Sequence, residues 1–80
     1  MDPPKINYLN NNTLMVINAA GKIRQLYTPF KVQVLHDTST LKKNSWVIVE
    51  EISPHDTLKL IYRIGTHWWQ YDVFRINVKF

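Results

Sequence analysis

A chain of 80 residues has room for one small domain, and the absence of cysteine excludes a disulfide framework and a thiolate metal site, leaving apolar packing to hold the core. Ten Lys and Arg against six Asp and Glu give a formal charge of +4, which favours an anionic partner but equally serves solubility. No apolar run approaches the ~18 residues that cross a bilayer, and MDPPKINYLNNN lacks the basic start and unbroken apolar stretch of a secretory leader, so a cytoplasmic protein without a membrane span is expected.

Residues 1–12 open with Pro3-Pro4 and close with three asparagines, a composition for an extended N-terminal segment on which Ile6, Tyr8 and Leu9 could dock. The single domain is then 13–80. TLMVI at 13–17 reads as a strand, and Asn18 to Gly21 supply residues that tolerate the positive φ of a turn. KIRQLY at 22–27 alternates, with Ile23 and Tyr27 on one face and Lys22, Arg24 and Leu26 on the other, so an N-terminal hairpin is predicted. Pro29 ends that strand, and FKVQVL at 30–35 begins another with Phe30, Val32 and Val34 inward, Lys31 and Gln33 outward.

Residues 36–45 form the longest loop, polar except for Leu41, with Lys42 and Lys43 as its cations; loops of this length often carry binding. WVIVEEI at 46–52 is a strand by aromatic and β-branched density, and the consecutive Glu50 and Glu51 break its alternation, implying a bulge or an exit from the core. Ser53 to Asp56 are expected to turn. From Leu58, the apolar positions Leu58, Leu60, Tyr62 and Ile64 recur with period two as far as Gly65-Thr66; beyond it Phe74, Ile76, Val78 and Phe80 alternate with Arg75, Asn77 and Lys79. No window has helical spacing.

Short strands separated by turn signals predict an all-β fold, a small antiparallel barrel of five to seven strands with an N-terminal hairpin. From Phe30 onward the order is strand, long polar loop, WVIVEEI, tight turn, LKLIYRI, glycine turn, then WWQY running into DVFRI. This order resembles the Src-homology-3-like (SH3-like) barrels over about two-thirds of the chain. The resemblance is one of topology: FKVQVLHDTSTL lacks the paired tyrosines of the peptide-binding members and no proline stands near the last strand, so no binding residue carries over.

Trp68 and Trp69 are adjacent, and adjacent strand residues point to opposite faces, so only one of them reaches the core. Unbroken alternation back from Phe74 groups Trp68 with the inward positions and places Trp69 and Tyr71 with Arg75; a turn near Asp72 would reverse this. An outward indole near Lys59, Arg63 and Arg75 would make a platform for stacking. The candidate partner-binding set is therefore Lys59, Arg63, Trp68, Trp69, Tyr71 and Arg75, with Lys42 and Lys43 of the loop.

His36, His55 and His67 lack metal-ligand spacing, and the neighbouring pairs His36-Asp37 and His55-Asp56 have no nucleophile beside them. Two glycines are too few for a phosphate-cradling loop. No metal, cofactor or catalysis is expected. The expectation is a non-enzymatic interaction module docking on a larger protein partner, with a nucleic-acid-binding barrel and a homo-oligomeric structural protein as alternatives.

Overall fold

The period-two pattern is realised as strands along most of the chain. The computed structural model describes residues 5–76 and 78. Among them lie nine strands: β1 (Lys5–Asn10), β2 (Thr13–Ile17), β3 (Ile23–Tyr27), β4 (Phe30–Val34), β5 (Trp46–Val49), β6 (Glu51–His55), β7 (Lys59–Ile64), β8 (His67–Gln70) and β9 (Phe74–Ile76). One 3-10 turn, Tyr71–Val73, separates β8 from β9, and no α-helix occurs among the described residues. The fold is all-β, as expected.

Backbone pairing divides the strands into three antiparallel sheets, A (β1-β2-β3), B (β5-β4-β9) and C (β6-β7-β8), without closing them into one barrel. The N-terminal hairpin is part of a larger unit, because Lys5–Asn10 adds a third strand to it. Its register sets Ile6 opposite Val16 and Tyr8 opposite Leu14. Ile6 and Tyr8 thereby cover two fully buried β2 side chains, while Leu9 stays exposed.

The turn expected at Ser53 to Asp56 lies further on. β6 continues through Pro54 to His55, and Asp56 to Leu58 make the turn, so Leu58 does not begin the next strand. Proline is tolerated because β6 is an outer strand of its sheet. The Ile52 N–H points away from β7 to the Asn11 carbonyl (2.9 Å), and Pro54, two residues on, has its missing donor on that same side. The His55 ring then accepts the Thr57 and Leu58 N–H groups at 3.3 and 3.1 Å, and Lys59 adopts a φ of 67°.

Glu50 and Glu51 form the expected bulge. The Glu50 N–H bonds the Arg63 carbonyl (2.9 Å) while Glu51 is the register partner of Arg63, so two residues of one strand face one of the other. At this point the strand passes from sheet B to sheet C.

All three sheets contribute to one core: Leu14 and Val16 from A, Phe30, Val32, Val34, Val49, Phe74 and Ile76 from B, Ile52, Leu60 and Tyr62 from C. The Tyr62 ring stands at its centre, edge-on to Phe30 (5.9 Å between centroids) and tilted against Phe74 (6.0 Å). Burial and the nearby Tyr71 push its phenol well above the ordinary range, and its hydroxyl has no hydrogen-bond partner among the described residues.

Candidate functional site

The 3-10 turn decides which indole faces out. By breaking the alternation between Gln70 and Phe74, it places Trp69 opposite Tyr62 on the core side and Trp68 opposite Arg63 on the outer side. Trp68 is 42% exposed, whereas Trp69 and Tyr71 pack against the core. The grouping that unbroken alternation gave is therefore reversed, and Trp69 and Tyr71 lie partly buried against the core.

Arg63 is held in place. Its Nη1 bonds Glu50 at 3.1 Å and the Gly65 carbonyl at 2.9 Å, and its Nε reaches Glu51 at 3.4 Å. Adjacent strand residues normally face opposite ways; only the bulge lets both carboxylates meet one guanidinium. The row Glu51, Arg63, Trp68 across sheet C is thus an indole beside a neutralised cation.

The other candidates are dispersed. Arg75 is exposed on the outer face of sheet B, next to Gln33. Lys59 sits at the turn end of β7. Lys42 and Lys43 are exposed on a braced loop: the Lys43 N–H bonds the Asp37 carboxylate (2.7 Å), Thr38 Oγ1 accepts the Leu41 N–H (2.8 Å), and Leu41 packs on the core. The loop re-enters β5 through Asn44 (φ 71°), whose N–H bonds the Val34 carbonyl at 2.7 Å, while Val34 in turn bonds the Ser45 carbonyl. Asn77, Lys79 and Phe80 of the alternating C-terminal run lie outside the described residues.

Two side chains enter the site that the sequence did not single out. Trp46 and Ile48 occupy the outward positions of β5, 50% and 41% exposed, while Val47 and Val49 turn inward. Register places Trp46 beside Gln33 and Gln33 beside Arg75 in one row, and Ile48 beside Lys31 in the next. The outer face of sheet B is therefore an indole and an isoleucine bordered by two exposed cations, with the 36–45 loop leading into it. In the sequence both parities of WVIV are apolar, so alternation alone does not tell outward from inward there.

Among the described residues no group of three or more His, Cys, Asp or Glu could hold a metal ion, and no helix is long and apolar enough to cross a membrane. No family model, no curated protein and no solved structure matches this chain.

Proposed function

We propose that the chain is a non-enzymatic docking module of SH3-like strand arrangement, which binds a larger protein partner through the outer face of sheet B. The arrangement is supported by the order from β4 to β9, with a long loop after β4 and a glycine turn before the aromatic strand β8. The observation that carries the function is the pair Trp46 and Ile48, exposed side by side with Lys31, Gln33 and Arg75 around them. An aromatic anchor beside an aliphatic one, rimmed by single charges, suits a protein interface, where aromatic residues contribute most of the affinity. A nucleic-acid partner is less well served, because Arg63 is already engaged by two carboxylates and, among the described residues, the strands of sheet B put just two cations, Lys31 and Arg75, on its outer face.

The test has two arms. Titration of tryptophan fluorescence with mixed-sequence oligonucleotides at low salt is expected to leave the emission unchanged. A photo-crosslinking residue substituted for Lys31 is expected to capture a protein whose purified form then binds the wild type at least tenfold more tightly than Trp46→Ala. A quench that weakens steeply with salt would overturn the reading in favour of nucleic acid, and a captured protein that binds Trp46→Ala as well as wild type would overturn the assignment of docking to this face.

A further inference from the structure

We infer that β3 is the seam of a symmetric dimer, in which two copies of this chain pair their β3 strands antiparallel about Gln25 to form a continuous six-stranded sheet. The inference is independent of the docking face on sheet B and begins from the free edge of sheet A. β3 has β2 on one side and no strand on the other among the described residues.

Which backbone groups that edge presents follows from the ladder. The Asn18 N–H bonds the Lys22 carbonyl (3.0 Å) and the Thr28 N–H bonds the Asn12 carbonyl (2.9 Å), bracketing the β2–β3 register. Hydrogen-bonded and non-hydrogen-bonded pairs alternate, so Arg24 and Leu26 direct their backbone groups to β2, and Ile23, Gln25 and Tyr27 direct theirs to the open side. The same three side chains lie on the outer face, Ile23 52% and Tyr27 62% exposed, continuous with Met15 and Ile17 of β2.

Proteins usually protect such an edge with proline, a bulge, charged side chains (lysine above all) or brevity. The other outer strands have such protection: β1 has a register shift between Tyr8 and Asn10, β6 carries Pro54 and gives its Ile52 N–H to Asn11, β5 and β8 have four residues each, and β9 has three. β3 is five residues in unbroken register with no proline and no lysine, and its one charged residue is Arg24, opposite Val16.

Its sequence is also self-complementary. Pairing about Gln25 overlaps all of IRQLY, sets Gln25 against the second copy's Gln25, and sets Ile23 against Tyr27 at both ends, a β-branched and aromatic pair of the kind that stabilises antiparallel sheets. Arg24 meets Leu26. Sliding by one step to centre on Arg24 would shorten the overlap and lose the Ile23–Tyr27 pairs, so length and side-chain pairing select the same register. A closed two-fold contact of this kind needs nothing beyond the patch itself. A strand-only seam buries less than the ~1,000 Å² of a stable interface, so association is concentration-dependent.

Sedimentation velocity of the full chain from about 10 μM to about 1 mM, a range suited to a small interface, tests this. The wild type is expected to shift from monomer to dimer. Gln25→Lys and Gln25→Glu, which place like charges opposite each other on the axis, are each expected to weaken dimerisation at least tenfold, and an equimolar mixture of the two to restore it as a heterodimer. Circular dichroism of each variant confirms that the monomer is folded. A wild type that stays monomeric throughout, a variant that dimerises like wild type, or a mixture that fails to recover association would each overturn the inference.

Discussion

Arg63 and Trp68 stand directly opposite one another on β7 and β8, and the guanidinium is tied to Glu50 and Glu51 across the bulge in the strand before. The pairing leaves the indole exposed and the cation occupied. Arg63→Ala is therefore expected to behave as a stability variant, losing about 1 kcal/mol at low salt for two partly exposed ion pairs and less at high salt. Denaturant midpoints at two ionic strengths measure this. Equal losses at both would show that the ion pairs contribute nothing.

Trp46 and Ile48 should behave in the opposite way. Both are half exposed, so Trp46→Ala and Ile48→Ser should each change unfolding free energy by less than about 1 kcal/mol. Affinity for the docked protein should fall at least tenfold for the tryptophan change. Chemical denaturation and calorimetric titration, run on the same samples, separate the two effects; a large stability loss without an affinity loss would assign Trp46 to the core.

Tyr62 carries a pH dependence with a definite sign. Burial favours its neutral phenol, raising the folded-state pKa above the 10.0 of an ordinary tyrosine, while the unfolded chain ionises near that value. The folded state thus retains a proton that the unfolded state releases, and stability falls as pH rises beyond about 10. Tyr62→Phe should flatten this alkaline loss. Because it also removes a buried hydroxyl without a partner among the described residues, the variant should gain about 1 kcal/mol at pH 7. Urea titrations at neutral and alkaline pH would show it, and a destabilised variant at pH 7 would mean that the hydroxyl is bonded after all.

Lys59 occupies left-handed backbone, φ 67°, where a side chain costs about 1–2 kcal/mol. Lys59→Gly should recover up to about 1 kcal/mol of that, the remainder being offset by the greater freedom of glycine in the unfolded chain. Thermal unfolding at matched ionic strength gives the comparison. No gain would indicate that the turn relaxes without strain.

Period-two alternation by itself determined that the protein is all-β, that Phe30, Val32 and Val34 face inward, that Ile23 and Tyr27 share a face opposite Leu26, and that two consecutive glutamates mark a break in their strand. Those features are local: each depends on a residue and its neighbours two positions away, which a strand fixes without reference to the rest of the molecule. The tertiary structure alone decided that Pro54 lies within a strand, because that depends on β6 being an outer one. It also decided that Trp68 rather than Trp69 faces out, because one 3-10 turn shifts the parity. Trp46 and Arg75 belong to one row only because β4 runs between their strands, and which apolar residues of a short β-rich segment stay uncovered is likewise set by contacts between parts of the chain far apart in sequence.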